Sequence, residues 1–288
     1  MNVSMTVEPP PDLIEKRDRL LDTLRGYESC AVAFSGGVDS AVVAQAAYLA
    51  LGDNAVAVTA ASASLSPVER QAAVELARRI GIRHELIATD ELQDPSYARN
   101  APDRCYHCKS ELYGRMRQLA ALSGQKILAN GANLDDQGDY RPGMQAAGEH
   151  AVRSPLIDCG INKAEVRQLA AAWQLPVWDK PASPCLSSRI AYGEEVTPGR
   201  LAMIDAAEQF LRVRGLPEVR VRYHRGYLAR IEVPPSALPQ LCADGAREEL
   251  LAELARLGFK YITLDLAGFR SGSLNDILPM ASIQGLSN

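Results

Sequence analysis

Short apolar runs recur through the first part of the chain, with room for a helix between them. The runs at 29–34 and 55–60 are continuous, which is typical of strands that are buried on both faces. The segments 83–89 and 126–130 are further strand candidates. The apolar pattern therefore predicts four strands before residue 131.

The segments between these runs have the spacing of helices. In 13–27 the leucines recur on one helical face, whereas 40–51 is apolar almost all round, which indicates a buried helix. Ser66 and Asn162 are candidate N-caps, because a glutamate follows each of them three residues later. Strand and helix thus alternate, which predicts an α/β fold with a doubly wound parallel sheet and a ligand site at the carboxyl ends of its strands.

The pattern changes after residue 178. Residues 179–199 contain three prolines, several small residues and a cysteine. The following segment, 198–214, has helical spacing, and 218–233 alternates with period two around a central Arg-Gly, which predicts a hairpin. A further helix and a strand at KYITLDL complete a small α+β module.

These changes predict three regions. We expect a sheet domain over 1–180 and a cysteine-bearing linker, which forms an active-site loop, over 181–199. A small α+β domain over 200–288 would then serve substrate binding or oligomerisation.

Composition narrows the class of protein. The chain has 288 residues, of which 47% are hydrophobic, and a formal net charge of −4, which gives no sign of a nucleic-acid-binding protein. It has no apolar run long enough for a membrane span, and its N-terminus lacks the apolar core of a signal peptide. Its six cysteines are too few for a disulfide scaffold of this size, which favours a cytoplasmic protein with reduced thiols.

The sequence SGGVDS at 35–40 stands where the first predicted strand turns into a helix. Its two glycines let the backbone turn sharply, and the N–H groups of the turn and of the helix N-terminus then form an anion cradle. The hydroxyls of Ser35 and Ser40 add donors. Asp39 would repel a phosphate unless it held a cation, so we expect Mg²⁺ to bridge Asp39 and the phosphate.

This motif, in its setting between strand and helix, resembles the PP-loop of the ATP pyrophosphatases. That family binds the pyrophosphate end of ATP at the loop, transfers AMP to a substrate, and places adenine beside the end of the next strand. Asp135 and Asp136 follow a later strand, where they could hold metal or order the loop. The candidate ATP-binding residues are Ser35, Gly36, Gly37, Asp39, Ser40, Thr59, Ser62 and Gly131.

The cysteines fall into two groups. Cys105 and Cys108 form a CxxC motif beside Lys109, a motif that can ligate metal, exchange disulfides or be incidental. Cys185 lies in a polar loop four positions before Arg189, and a nearby guanidinium would favour the thiolate. The three cysteines with apolar or plain neighbours, which we expect to be buried and inert, are Cys30, Cys159 and Cys242.

Taken together, the motifs resemble one family over most of the chain, from about residue 13 to 275. They are SGGVDS, RCYHCK, DYRPG, PCLSSRIAYG, VRVRYH and LDLAGFRSGSLN. This combination is similar to that of the ATP-dependent sulfur transferase family LarE, which makes the nickel-pincer nucleotide cofactor of lactate racemase. The loop motif is generic to the superfamily, whereas the cysteine loop and GFRSGS are the specific parts.

The resemblance implies the following chemistry. A carboxylate of pyridinium-3,5-biscarboxylate mononucleotide attacks the α-phosphorus of ATP and releases pyrophosphate. The thiolate of Cys185 displaces AMP to give a thioester. Elimination across the Cβ–S bond then leaves a thiocarboxylate on the substrate and dehydroalanine on the protein, so that Cys185 is a sacrificial sulfur donor.

The CxxC motif opens a second route. Some members of the family are thought to hold a [4Fe–4S] cluster with three cysteines, whose fourth iron site can carry an extra sulfide. Here the ligands would be Cys105, Cys108 and Cys185, and sulfide would spare Cys185. The two sulfur sources stay open at this point.

Basic residues of the second module complete the candidate site. Arg220 and Arg222 share one face of a predicted strand and, with Arg189 and Lys109, are the candidate substrate-binding residues. Glu232 on the partner strand could orient an arginine or remove the proton in the elimination. Arg270, in GFRSGS, is a weaker candidate.

Other functions have distinct requirements. A PP-loop enzyme that thiolates tRNA would need a basic RNA-binding surface, which the acidic composition argues against. A nucleotide sensor or an ammonia-using synthetase would leave Cys185 unexplained. We therefore expect a small-molecule nucleotide substrate, with no nucleic acid or membrane partner, and the resemblance implies a homo-oligomer of up to six copies.

Overall fold

Four parallel strands form the sheet of the first half of the chain. They are β1 (Cys30–Ala33), β2 (Ala55–Ala61), β3 (Arg83–Ala88) and β4 (Ile127–Ala129), in the order β3-β2-β1-β4. All four were predicted, and each pairs in parallel with its neighbours. The computed structural model describes residues 10–138, 142–181 and 184–270.

The helices and the remaining strands follow the predicted alternation. The helices are α1 (Pro11–Arg25), α2 (Val38–Leu51), α3 (Pro67–Ile80), α4 (Pro95–Ala98), α5 (Arg104–Ser123), α6 (Pro142–Glu149), α7 (Pro155–Asp158), α8 (Lys163–Ala172), α9 (Pro198–Val213), α10 (Leu238–Cys242) and α11 (Ala246–Arg256). The strands of the second half are β5 (Arg220–His224), β6 (Leu228–Glu232) and β7 (Tyr261–Leu264). Over the described residues, none of the helices combines the length and apolar character needed to cross a bilayer.

Alternate residues of β1 point into two different cores. Cys30 and Val32 pack with α1, α2, α3 and α8, whereas Ala31 and Ala33 pack with α5 and α6. Both sides of the sheet are therefore covered by helices, which confirms the doubly wound α/β fold. Many of the residues in contact are alanine or valine, and small side chains let helix and sheet approach closely.

The predicted helix caps are present. Ser66 accepts a hydrogen bond from the amide of Glu69 at 3.2 Å and begins α3. Asn162 and Glu165 form a reciprocal capping box at the start of α8. Each cap fixes the residue at which its helix begins, and for α8 this fixes the position of the next residue, Lys163.

No helix or strand was predicted over 104–123, where the structure has the 20-residue helix α5. Its buried side chains, Leu112, Tyr113, Met116 and Ala120, recur at near-helical spacing. The first of them comes one turn after the CxxC motif, so the polar start of the helix hides the amphipathic pattern.

A small three-stranded sheet forms the second half. β5 and β6 pair antiparallel, as predicted, and β7 pairs in parallel with β6. The hairpin turn has three residues rather than two, because Tyr227 joins Arg225 and Gly226 in the loop and has a positive φ of 62°. Val221, Tyr223 and Ile231 of the hairpin are buried.

The described chain divides into two compact units. The first comprises residues 10–90 and 105–181, and the second comprises 91–104 and 184–270. The segment 91–104 joins the second unit because the buried Asn100 donates hydrogen bonds from Nδ2 to the carbonyls of Ile190 and Ala191, at 3.2 and 2.9 Å. This segment was expected in the sheet domain, where sequence order alone would place it.

Candidate functional site

The loop SGGVDS connects β1 to α2 and is held by its own hydroxyls. Ser40 Oγ accepts a hydrogen bond from the amide of Ser35 at 3.2 Å and donates to the carbonyl of Gly37 at 3.1 Å. Gly36 has a φ of 72°, and a Cβ there would lie 3.2 Å from Ala73 of α3. The two serines therefore shape the loop, and Gly36 meets both a conformational and a steric requirement.

The N-terminus of α2 is open to a ligand. Its N-cap is Gly37, which provides no side-chain hydrogen bond to the first turn. The first amides of any helix have no carbonyl one turn earlier, so those of α2 are available to an anion. The geometry of an anion cradle is thus present, and contact with ATP stays a prediction for these loop residues.

Asp39 has two side-chain partners that the sequence analysis did not identify. Its Oδ2 lies 2.5 Å from Lys163 Nζ, and its Oδ1 accepts a hydrogen bond from Asn133 Nδ2 at 3.1 Å. Lys163 is 124 positions away in the chain and Asn133 is 94. Only the Asn162 cap gave a signal, since it placed Lys163 at the first position of a helix.

The loop that carries Asn133 is ordered by carboxylates. Asp135 accepts a hydrogen bond from the amide of Lys163 at 3.0 Å, and Asp136 accepts one from the amide of Asn133 at the same distance. Of the two roles considered for these aspartates, the structure shows the ordering of the loop. The described residues contain no group of three or more histidine, cysteine, aspartate or glutamate side chains placed to hold a metal ion.

Close packing within the protein requires a glycine at position 131. A Cβ at this position would lie 2.6 Å from the amide nitrogen of Ser40 and 2.9 Å from the carbonyl carbon of Asp39. Real Cβ atoms do not come so close to backbone, so glycine is required for the chain after β4 to pack on the start of α2. The expected approach to a nucleotide stays a prediction.

Thr59 uses its hydroxyl inside the fold. Its Oγ1 donates to the carbonyl of Phe34 at 2.6 Å and lies 2.8 Å from His84 Nε2. Because the single hydroxyl proton points to Phe34, His84 must donate from Nε2. Burial lowers the pKa of His84, which keeps the ring neutral in this arrangement. The network fixes the residue before the SGGVDS loop, and it is a second feature that the sequence did not reveal.

Ser62 and Lys109 also lie in the first unit. Ser62 Oγ is 2.7 Å from Ser64 Oγ in the turn after β2. Lys109 lies in the second turn of α5, where the Cγ atom of its stem would be 3.1 Å from a Cβ built at Gly143 of α6. Both residues keep their predicted roles as predictions.

The cysteines differ in exposure. Cys105 is exposed and Cys108 is partly exposed, and both lie in the first two turns of α5 at a spacing that puts them on one helical face. Cys30 and Cys159 are buried as expected, and burial raises the pKa of the Cys30 thiol to about 12. Cys242 was expected to be buried but is exposed at the end of α10.

Cys185 lies in the second unit, exposed at the start of a short 3-10 turn. Arg189 Nη1 donates to the carbonyl of Cys185 at 3.0 Å and also to that of Pro184, while its Nε pairs with Glu208 Oε1 at 3.0 Å. The guanidinium therefore shapes the cysteine loop. Glu208 is fully buried and compensates the charge that we expected to act on the thiol and on substrate phosphate.

The same loop is anchored from its other side. Arg104 donates to the carbonyl of Ser187 at 2.8 Å, and Tyr97 Oη lies 2.6 Å from Ser187 Oγ. Ser187, Arg104 and Tyr97 are all buried. The backbone beside Cys185 is thus rigidly held while its thiol remains exposed.

Arg222 and Glu232 form a buried ion pair. Their Nη2 and Oε2 atoms are 2.9 Å apart, and Glu232 Oε1 lies 3.3 Å from Arg230. Arg222 also donates to the carbonyl of Ser188 at 2.9 Å. Of the two roles considered for Glu232, the structure shows the orienting one. The carboxylate has no exposed surface through which to take a proton from a substrate.

Arg220 lies among like charges. Its guanidinium carbon is 4.4 Å from the centre of the Phe269 ring, and Nη1 donates to the carbonyl of Arg270 at 3.1 Å. Burial, together with the positive charges of Arg222 and Arg189, lowers the pKa of Arg220 to about 10. An anion placed here would relieve that repulsion, which favours a phosphate site beside the hairpin.

A cleft lies elsewhere in the first unit, away from the SGGVDS loop. It has a volume of about 710 Å³ and is lined by α5 and by residues 148–153. None of the predicted site residues lines it, so it plays no part in the sites described above.

Comparison with known proteins identifies the family. A protein-family model described as NAD synthase matches residues 19–124. The chain is 39% identical over 272 residues to the pyridinium-3,5-bisthiocarboxylic acid mononucleotide synthase of Lactiplantibacillus plantarum, covering 94% of this chain and 98% of that protein. The chain belongs to the LarE family of PP-loop enzymes. The resemblance found in the sequence is thereby confirmed.

Two further relatives place this LarE protein within a wider group. An uncharacterized protein of Synechocystis sp. is 48% identical over 262 residues, covering 90% of this chain and 97% of that protein. The tRNA-specific 2-thiouridylase MnmA of Xanthobacter autotrophicus is 29% identical, covering 81% and 72%. The match to the synthase thus extends over more of both chains than the match to the thiouridylase.

The PP-loop family implies ATP with Mg²⁺, and the first unit fits them. The open amides at the start of α2 suit phosphate oxygens, and the carboxylate of Asp39 is a hard oxygen ligand of the kind that Mg²⁺ prefers. For an iron–sulfur cluster, Cys105 and Cys108 supply two thiols on one face, which is less than a complete ligand set.

Proposed function

We propose that this enzyme adenylates a carboxylate of pyridinium-3,5-biscarboxylate mononucleotide and converts it to a thiocarboxylate. The support is that the match to the synthase of Lactiplantibacillus plantarum covers 98% of that protein and so includes both units of this chain. The anion cradle, the exposed thiol and the arginines of the hairpin each have a task in this reaction.

The first unit would carry out the adenylation. The amides at the start of α2 bind the pyrophosphate end of ATP, with Ser35 and Ser40 fixing the loop and Asp39 directed at the cation. A substrate carboxylate oxygen attacks the α-phosphorus, the bond to the β-phosphate bridging oxygen breaks, and pyrophosphate leaves. The product is an acyl-adenylate, in which AMP is a good leaving group.

The second unit would supply the acceptor of the acyl group. The exposed thiol of Cys185 gives up its proton and attacks the acyl carbon, and AMP departs with its electron pair, which leaves a thioester. Loss of the Cα proton and cleavage of the Cβ–S bond then transfer sulfur to the substrate and leave dehydroalanine. Glu232 is too enclosed to serve as the base for that proton, so we assign it to holding Arg222.

We assign the phosphate of the mononucleotide to the arginines of the hairpin. Arg220, Arg222 and Arg189 bring three guanidiniums together with two buried carboxylates, Glu208 and Glu232. The cluster therefore has a surplus of positive charge, and a phosphate would balance it.

A bound [4Fe–4S] cluster would supply sulfide and spare Cys185. Its ligands would be Cys105, Cys108 and Cys185.

The test is incubation of the purified protein with MgATP and the dicarboxylate mononucleotide. We expect pyrophosphate, AMP and thiocarboxylate as products, detected by mass spectrometry. Cys185→Ala should lower thiocarboxylate formation by more than about 100-fold and leave pyrophosphate release in place. Cys242→Ala is the matched control, because Cys242 is an exposed thiol of the same unit. Thiocarboxylate formation by Cys185→Ala at the control rate would refute the proposal.

Intact mass and the anaerobic spectrum separate the two sulfur sources. A loss of about 34 Da after one turnover corresponds to conversion of Cys185 to dehydroalanine. An unchanged protein mass together with a broad absorption band at about 400 nm corresponds to a cluster.

Transfer of sulfur to tRNA is the second candidate, because MnmA is among the relatives. Incubation with unmodified tRNA and MgATP tests it by mass analysis of the nucleosides. We expect no thiolated nucleoside, and its appearance would favour the tRNA function.

A further inference from the structure

We propose that Lys163 holds the metal-binding oxygen of Asp39 until a nucleotide arrives, so that this enzyme takes up Mg²⁺ with ATP and not before it. The proposal rests on the proposed binding of ATP in the first unit. It concerns the order in which the ligands bind and a residue, Lys163, that the sequence analysis did not single out.

Each carboxylate oxygen of Asp39 has a side-chain partner in the structure. Lys163 Nζ lies 2.5 Å from Oδ2, and Asn133 Nδ2 donates to Oδ1 at 3.1 Å. A Mg²⁺ ion ligates carboxylate oxygens at about 2.0–2.1 Å. An ammonium group this close to Oδ2 would stand within a few ångströms of such an ion, and the two positive charges would repel each other strongly.

The side chain of Lys163 is free to move although its backbone is fixed. Its amide donates to Asp135 Oδ2 at 3.0 Å, and the capping box of Asn162 and Glu165 sets the start of α8. The side chain itself is 37% exposed, against 25% for that of Asp39. The ammonium can therefore leave Asp39 by rotation of its stem, without any change in the helix.

A triphosphate would complete the exchange. Its oxygens give the ammonium group of Lys163 a new anionic partner. They also give the metal ion further ligands, which Asp39 alone cannot provide. Lys163 also offsets the negative charge of Asp39, which lies in the first turn of α2 and would otherwise repel the phosphates from the helix N-terminus. The same lysine thus favours metal-free nucleotide and disfavours nucleotide-free metal.

The experiment measures the binding of Mn²⁺ to the nucleotide-free protein by electron paramagnetic resonance. Lys163→Met retains the length of the stem and removes the charge, and Lys163→Arg keeps the charge as the matched control. We expect the dissociation constant for Mn²⁺ to fall by about tenfold or more in Lys163→Met, because Asp39 is then available in every molecule, and to stay unchanged in Lys163→Arg. The double variant Lys163→Met with Asp39→Asn should lose the gain.

Binding of α,β-methylene-ATP in the presence of EDTA is the second measurement. We expect the affinity of Lys163→Met to be at least about tenfold weaker than that of the unsubstituted protein. If the unsubstituted protein binds Mn²⁺ as tightly as Lys163→Met does, the proposal is wrong. Neither assay includes the sulfur-accepting substrate, so failure of this proposal and failure of the proposed sulfur transfer give different results.

Discussion

The phosphate sites that we propose in the two units are built in opposite ways. The first uses backbone amides, glycines and a single ion pair between Asp39 and Lys163. The second uses arginines that are almost completely buried, held by carboxylates with no exposed surface. The first site thus depends on how closely the backbone can pack, and the second on how completely its charges are compensated.

This difference predicts where each site is vulnerable. In the first unit an added methyl group is more damaging than a lost charge, because Gly36 and Gly131 are in contact with neighbouring elements. In the second unit a lost carboxylate is more damaging, because it leaves a buried guanidinium without compensation. The following three experiments test the contrast, beginning with the largest expected effect.

Removal of Glu208 should destabilise the second unit severely. Its carboxylate pairs with Arg189 at 3.0 Å and Arg212 at 2.6 Å, and it accepts a hydrogen bond from the amide of Val221 at 3.1 Å. We expect Glu208→Ala to lower the free energy of unfolding by about 3–5 kcal/mol, measured by denaturant titration. Glu249→Gln, which removes an exposed partner of Arg214, should leave it nearly unchanged. Equal effects of the two substitutions would remove the contrast.

The substitution Gly131→Ala should damage the first site with an intermediate effect. The added Cβ would meet the backbone of Ser40 at 2.6 Å, and overpacking of this kind costs about 1–3 kcal/mol. We expect the affinity for ATP, measured by calorimetry, to fall. The loss of binding free energy should exceed the loss of unfolding free energy, because the start of α2 must shift.

Gly114→Ala in α5 is the matched control for this experiment. A Cβ at Gly114 would have no neighbour within 4 Å, so the change should raise helix stability slightly and leave ATP binding unaltered. Unchanged ATP affinity in Gly131→Ala would show that backbone packing does not govern the first site.

Mild acid should produce the smallest effect, and it should act on both units. The pKa of His84 is lowered by burial, and that of His224 by burial and by Arg230 and Arg222. Below the ordinary value of 6.5 the unfolded chain binds protons that the folded protein does not, so the melting temperature should fall as the pH is lowered from 7.

His84→Gln and His224→Gln should each reduce this dependence on pH. His224 Nε2 accepts a hydrogen bond from Arg230 Nε at 3.1 Å, and protonation would replace it with a repulsion. A melting temperature whose pH dependence is the same in both variants and in the unsubstituted protein would contradict the assignment.

Much of the first unit was predictable because its signals are local. The strands, the two helix caps and the SGGVDS loop each depend on neighbouring residues. The pairing of Asp39 with Lys163 depends on the packing of α2 against α8, which no local pattern encodes. The same reason explains why the network of Thr59 and His84 was missed.

The secondary structure of the second unit was predicted in outline, but the ion pairs of its buried arginines were not. Alternation correctly placed Arg220 and Arg222 on one strand, but it gave no sign that both side chains are buried. A sequence shows that an arginine lies on a given face, whereas the carboxylates that let it be buried, Glu208 and Glu232, come from other elements. The segment 91–104 joined this unit for a similar reason, through the long-range hydrogen bonds of Asn100.

The hydrogen bonds from Arg189 to the carbonyls of Pro184 and Cys185 have a consequence for the proposed route in which Cys185 is the sulfur donor. Those bonds involve only main-chain oxygens, so the loop needs nothing from the sulfur atom to keep its form. A copy left with dehydroalanine would remain folded and able to capture ATP and substrate. Depleted copies would then accumulate as competitors of fresh ones, and a cell relying on that route would have to replace or degrade them.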